Sequence, residues 1–189
     1  MPRVTGERIM LREYKADDIG SIRAWVNDPL TTRYLSTRFW PAQTMVDSEE
    51  FLARMLQSSH NAYNFVIADA KDERYIGQLD MFRVDWRLRC GELGMVIGST
   101  DDRGRGLGTE ALHLMQRFTF QTLGMERLEL EVLMGNTAAR HCYEHAGFSL
   151  EGVKRNAFFC EGHFCDVGIL SVLHGEWLRR EETTAPAGN

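Results

Sequence analysis

The stretch Arg103-Gly-Arg-Gly-Leu-Gly-Thr109 constrains this chain more than any other. Glycines stand at 104, 106 and 108. The apolar series that follows, Leu107, Ala111, Leu114, Met115 and Phe118, has the spacing of one helical face. Just upstream, Leu93-Gly-Met-Val-Ile-Gly98 predicts a strand. The order is therefore strand, glycine-rich turn, helix. The first N–H groups of a helix lack intrahelical acceptors and sit at the positive end of its dipole, so such a turn is a ready anion site. Glycine lets a ligand approach the backbone closely and permits positive φ. Arg103 and Arg105 add full charges, and the expected ligand is a phosphate or pyrophosphate.

Two familiar phosphate loops do not fit. A nucleoside triphosphatase loop needs Lys-Ser or Lys-Thr after its last glycine, and here Thr109-Glu110 follow Gly108. The dinucleotide fingerprint needs a glycine three residues after the second of its pair, a position that falls here on Thr109 or Ala111. A tight glycine turn capping a helix without any ligand is the plain alternative.

The chain has 189 residues, enough for one domain with a substantial core. Its net charge of −5 lacks the basic surplus of a general nucleic-acid binder and suits a cationic substrate only weakly. No stretch is long and apolar enough to predict a membrane span, and charged Arg3, Glu7 and Arg8 precede any apolar run, unlike a signal peptide. Cys90, Cys142, Cys160 and Cys165 are expected to be reduced thiols in the cytoplasm. Cys160, His163 and Cys165 lack a second ligand pair at zinc-like spacing, so no metal is expected.

Along the chain, alternation over Glu7 to Glu13 predicts an opening strand. Asp17-Asp18 open an amphipathic helix that Asn27-Asp28-Pro29 stops. An irregular loop spans 30–43, and a second helix starts at Thr44 or Asp47 and runs to about Gln57. Asn64 to Asp69, Tyr75 to Asp85 and Cys90 to Gly98 predict an antiparallel meander. Arg127 to Leu133 alternates as a strand, and Thr137 to His145 is a short helix capped by Gly147. Phe148 to Phe159 and Phe164 to Leu173 make a final hairpin turning at Glu161-Gly162. Trp177 closes a domain of residues 1–178, and 179–189 are expected to form a frayed tail.

Asn136, Arg140, Tyr143 and Gly147 share one face of the short helix, while Ala139, Cys142 and Ala146 form a small apolar flank. An amide, a guanidinium and a phenol on one face need partners if buried. Asn136 also suits a simple N-cap. Taken together, Arg103-x-x-Gly106-x-Gly108, the helix, the alternating strand, Asn136-x-x-Ala139, Tyr143 and Gly147-Phe148 resemble the GNAT superfamily of acyl-CoA-dependent N-acetyltransferases. The opening strand, the Asn27-Asp28-Pro29 stop and Gly147-Phe148-x-x-Glu151-Gly152 are similar to the branch with ribosomal-protein N-terminal and spermidine acetyltransferases. The likeness covers essentially the whole chain.

That resemblance implies a single α/β domain, with a mixed, mostly antiparallel sheet of about seven strands, splayed in the middle and flanked by about four helices. It implies acetyl-CoA as cosubstrate. Backbone N–H groups of Arg103, Gly104, Arg105, Gly106, Leu107, Gly108 and Thr109 would hold the pyrophosphate. Met95, Val96 and Ile97 would pair with the pantetheine amides, and Asn136 and Ala139 would meet the pantetheine arm. A primary amine or a protein N-terminus would attack directly in a ternary complex, rather than through Cys142. The alternative is a CoA-binding sensor without turnover. Tyr143 is the candidate acid for the leaving thiolate, and Glu92 the candidate base. Tyr34, Trp40, Phe82 and Trp86 are candidate linings of the acceptor pocket. A homodimer is common among such proteins.

Overall fold

The computed structural model describes residues 3–57 and 62–184. Its strands are β1 (Val4–Thr5), β2 (Ile9–Arg12), β3 (Tyr63–Asp69), β4 (Tyr75–Asp85), β5 (Cys90–Ile97), β6 (Arg127–Leu133), β7 (Ser149–Cys160) and β8 (His163–Leu173). Its helices are α1 (Ile19–Val26), α2 (Pro29–Thr32), α3 (Met45–Met55), α4 (Leu107–Arg117), α5 (Thr137–His145) and α6 (His174–Thr184). The strands form one sheet in the order β1-β2-β3-β4-β5-β6-β8-β7. Every pairing is antiparallel except β5 with β6.

The period-2 alternation of the strands loads both faces of this sheet. Ile9, Leu11, Phe65, Ile67 and Leu79 pack with Ala111, Leu112 and Met115 of α4. Met10, Val66 and Ala68 point the other way, onto Ile22, Trp25 and Val26 of α1 and Leu52 of α3. β2 is consequently buried along its whole length. Arg12 ends it and is only 2% exposed. Its guanidinium grips the Asp18 carboxylate with two bonds, 2.9 and 2.7 Å, and also donates to the Glu13 and Glu73 carbonyls. Asp18, read from sequence as a helix-opening acid, is thus a buried partner that ties α1 to the sheet.

Several elements differ from the sequence expectation. The sheet has eight strands because Val4–Thr5 pairs with Leu11 and Met10, a two-residue strand too short to show alternation. Residues 30–43 are partly helical. Asp28, which stops α1, also caps α2 by accepting from Leu30 N at 3.1 Å, and Pro29 suits the first helical position. Residues 37–39 add a 3-10 turn. Residues 179–184, expected to fray, continue α6. Trp177 meets Phe120 at a tilt with centroids 5.5 Å apart, and Arg180 donates to the Ala146 carbonyl at 3.0 Å. Arg180 fits there because residue 147 is glycine, at φ 84: a Cβ would sit 0.7 Å from its Nη1. Residues 185–189 lie outside the described residues.

Removing one partner of a buried ion pair leaves an uncompensated charge. Asp18→Ala is therefore expected to lose about 3–5 kcal/mol of unfolding free energy. Urea denaturation checks this, and a loss below about 1 kcal/mol would mean that Arg12 finds other partners.

Candidate active site

The site begins where the parallel pair parts. β5 and β6 are in register only at Cys90↔Arg127, Gly91↔Leu128 and Glu92↔Glu129. β5 then stays with β4 as far as Ile97, while β6 stays with β8 as far as Leu133. Two cavities flank the opening. One is a groove of about 660 Å³ running to the glycine-rich loop. The other, about 400 Å³, lies over β4, β5 and β6. Tyr34, Leu35, Met95, Val96, Asn136, Ala139 and Tyr143 line both, so the cavities meet there.

At the groove's outer end the chain makes a 3-10 turn, Thr100–Asp102, and then takes positive φ at Gly104 (69°) and Gly106 (76°) to enter α4. The first α-helical bond runs from Glu110 N to Gly106 O, which leaves the N–H groups of Leu107, Gly108 and Thr109 without intrahelical acceptors. A Cβ on Gly108 would come within 3.1 Å of both Cys142 Sγ and Met95 Cε. Glycine therefore keeps α5 and β5 close to the mouth of α4. Of the expected cofactor residues, Met95, Val96, Ile97, Arg103, Gly104, Gly106, Leu107, Gly108, Thr109, Asn136, Ala139 and Tyr143 line the groove.

The two arginine side chains have partners that the sequence did not reveal. Arg105, which is not in the lining, pairs with the buried Asp102 at 3.1 Å. Arg74 grips the same carboxylate at 2.8 Å and is the main cause holding its pKa below the usual range. Arg103 turns inward to the Ile97 carbonyl at 3.1 Å and the Thr31 hydroxyl at 2.5 Å. Asn136 caps α5, accepting from Ala139 N at 3.2 Å, and faces both cavities.

The second cavity is acidic. Asp80, Glu92 and Glu131 line it. Burial pushes Asp80 up to about 7, against hydrogen bonds from Tyr14 Oη at 3.3 Å and Gln78 Nε2 at 3.2 Å. Glu92 is raised chiefly by burial, opposed by Arg83, which donates to it at 2.7 Å. Glu131 is paired with Lys154. Tyr143 is 7% exposed, and its ring meets Phe148 edge-on. Burial, with a smaller contribution from Cys142, pushes its phenol well above the usual value. Its hydroxyl has no hydrogen-bond partner among the described residues, and none of their fully buried side-chain N or O atoms is left unpartnered. The Tyr143 hydroxyl is therefore open to the cavities. Tyr34 and Phe82, expected at an acceptor pocket, line the second cavity, whereas Trp40 and Trp86 do not; they are 57% and 47% exposed, packing against Phe158 and Tyr63. Asp80 and Gln78 went unnoticed in the sequence. Their signal was two polar side chains at alternate positions between Ile76 and Phe82, in the otherwise apolar middle of a strand.

The acetyltransferase (GNAT) domain model matches residues 8–149. This chain belongs to the GNAT acetyltransferase family. It is similar to the spermidine N(1)-acetyltransferase of Vibrio cholerae, 28% identical over 118 residues that cover 62% of this chain and 67% of that one. The spermidine N(1)-acetyltransferase of Escherichia coli K12 is 23% identical over 175 residues, 93% of this chain and 91% of that one. The solved Vibrio cholerae spermidine N-acetyltransferase in complex with CoA and spermine superposes with a TM-score of 0.79 at 23% identity, covering 92% of this chain and 99% of that one. At that identity the structure shows the shared fold, with its sheet splayed in the middle. Among the described residues no helix is long and apolar enough to cross a membrane, and no group of three or more His, Cys, Asp or Glu is placed to hold a metal ion.

The close approach at Gly108 gives a test of the groove. Gly108→Val should abolish the rise in melting temperature that CoA produces through binding the folded state, a rise worth about 2.7 kcal/mol at a hundred times Kd. The apo protein should still unfold cooperatively. An undiminished shift would place the CoA site elsewhere.

Proposed function

We propose that this acetyltransferase moves the acetyl group of acetyl-CoA to a primary amine of a small cationic acceptor, by direct attack in a ternary complex. The observation that carries this reading is the meeting of the two cavities at Tyr143 and the unpaired edge of β5. The groove fits the cosubstrate: free N–H groups at the start of α4 suit a pyrophosphate, and a strand edge without a neighbour suits an amide-bearing arm. Met95 and Val96, the N–H groups of Leu107, Gly108 and Thr109, Asn136 and Ala139 would hold it, whereas the N–H of Arg103 is spent on the Thr100 carbonyl. Acetyl-CoA supplies an activated acetyl carbonyl and a thiolate leaving group.

The chain must manage two protons. An amine with pKa near 10 is an ammonium at neutral pH and cannot attack until it loses one. Asp80 and Glu92 are the carboxylates that take it, directly or through water. Asp80, at about 7, is balanced between holding and releasing a proton, while Arg83 favours the ionised Glu92. Tyr143 gives the second proton to the leaving thiolate: its phenol is protonated at neutral pH and faces both cavities, although burial makes it a weaker acid. Asp80 lies beside Glu92 and Glu131 in one cavity, the latter two already paired with Arg83 and Lys154, and this acidic lining suits a cationic amine, in keeping with relatives named for spermidine. A protein N-terminus is the second acceptor class. The free thiols of Cys90, Cys142, Cys160 and Cys165 fit a reducing cytoplasm.

Thiol release from acetyl-CoA across polyamines, aminoglycosides, amino acids and N-terminal peptides tests the reaction. A polyamine hit is expected. Silence throughout, with CoA still raising the melting temperature, would replace this reading with a CoA sensor. With an acceptor in hand, Tyr143→Phe should lower kcat by about a hundredfold or more while the affinity for CoA barely changes. Unchanged turnover would remove Tyr143 from the chemistry.

A base must be ionised to act, so kcat/KM should rise with pH through an inflection near 7, the value to which burial pushes Asp80. Asp80→Asn should remove that inflection and lower kcat/KM above it by about a hundredfold. An inflection that survives there but vanishes in Glu92→Gln would assign the base to Glu92.

A further inference from the structure

Arg103 stands at the first position of the glycine-rich loop, where its charge suggests a phosphate ligand. Its side chain points the other way. Nε and Nη2 donate to the Ile97 carbonyl at 3.3 and 3.1 Å, where β5 ends. Nη2 also meets Thr31 Oγ1 at 2.5 Å, and Nη1 reaches the Leu30 carbonyl at 3.5 Å. Thr31 in turn donates to Asp28 Oδ2 at 2.5 Å, on the carboxylate that caps α2. One guanidinium thus joins the end of the cofactor strand, the start of the phosphate loop and the short helix α2.

What α2 leads into matters. Leu30, Thr31 and Arg33 form part of the far wall of the cofactor groove, and Tyr34 and Leu35 line both cavities. α2 itself packs chiefly against α1, and Phe39 further along meets Trp25 with ring centroids 5.6 Å apart. Thr31 is its one buried residue, and Leu30 is 61% exposed. Beyond α2, Leu35 packs partly against the α1–α3 core, and Cys160 Sγ lies 3.4 Å from the Arg33 carbonyl. Arg103 is therefore the polar tie between the loop that takes the cofactor and the wall that faces the acceptor. A four-residue helix with one buried hydroxyl cannot hold that wall by apolar packing alone.

We propose that Arg103 is a positioning residue: by clamping α2 to the cofactor loop it carries the ordering produced by CoA into the acceptor wall at Tyr34 and Leu35. The phosphate charge is met instead by the backbone N–H groups. This coupling rests on the acetyl-transfer reading for its use in turnover, but the clamp itself is tested without turnover.

Hydrogen–deuterium exchange over residues 28–36, with and without CoA, reads the clamp, and calorimetry with CoA reads affinity. In the wild type CoA should slow exchange across that segment. In Arg103→Met, which keeps the aliphatic bulk and removes every donor, the CoA-induced protection should disappear while Kd for CoA stays within about threefold. Thr31→Val should reproduce the loss, the double variant should add little to it, and Arg103→Lys should restore part. With an amine substrate, KM for the amine should rise about tenfold in Arg103→Met while KM for acetyl-CoA hardly moves. A large drop in CoA affinity with the amine KM unchanged would make Arg103 a phosphate ligand and overturn the proposal. So would undiminished protection of residues 28–36 in both Arg103→Met and Thr31→Val. If the wild type acetylates no amine, only the functional reading falls, since exchange and calorimetry still decide the clamp.

Discussion

Three parallel residue pairs, Cys90 to Glu92 against Arg127 to Glu129, join the two halves of the sheet at one end only. The rest of the site depends on that short join. Because β6 follows β8 rather than β5 beyond Glu129, the backbone of residues 93–96 keeps N–H and C=O groups facing a gap. Such groups are costly to leave without partners away from water. A ligand carrying amides satisfies them in the way a neighbouring strand would. The tip of α5 lies along the same gap, so Asn136 and Tyr143 address both cavities from one short helix.

α4 carries two duties that its sequence separates by position. Its buried side, Leu107, Ala111, Leu112, Leu114 and Met115, holds it on the sheet, and its N-terminus presents unpaired donors to the groove. The electrostatics nearby are balanced. Asp102, a buried acid next to an anion site, is held by Arg74 and Arg105 together. Glu110 accepts from the backbone N–H groups of Glu7 and Arg8 and from the Arg8 guanidinium, fixing the helix to the start of β2. These acids therefore serve the scaffold, and the positive end of the helix remains for the ligand.

The lining of the larger groove was legible in the sequence because it depends on local patterns: glycines at 104, 106 and 108 precede an amphipathic helix, and Asn136 and Tyr143 fall four and three residues apart around Arg140. The lining of the second cavity was less legible because it depends on contacts distant in sequence. Arg103 meets Thr31 across 72 positions, and nothing in either local pattern indicates this. Asp80 resembles any polar residue on a strand until β3, β4 and β5 bring it under the cavity. Trp40 and Trp86 misled because large aromatics suit a pocket and a surface equally well. The helix α6 was hidden by a polar composition, although Trp177 marked where it docks.

The outer edges of the sheet complete the picture. β1 is only two residues long, and β7, at the opposite edge, is bent by irregularities between Leu150 and Gly152 and between Lys154 and Phe158. Exposed Glu151, Lys154 and Arg155 stand along it. Short, bulged and charged borders discourage a foreign strand from adding on. The half-paired backbone of residues 93–96, joined to β4 along one edge and open on the other, is instead recessed between its own neighbours. The fold keeps the stickiness that would otherwise favour aggregation, and confines it to a crevice.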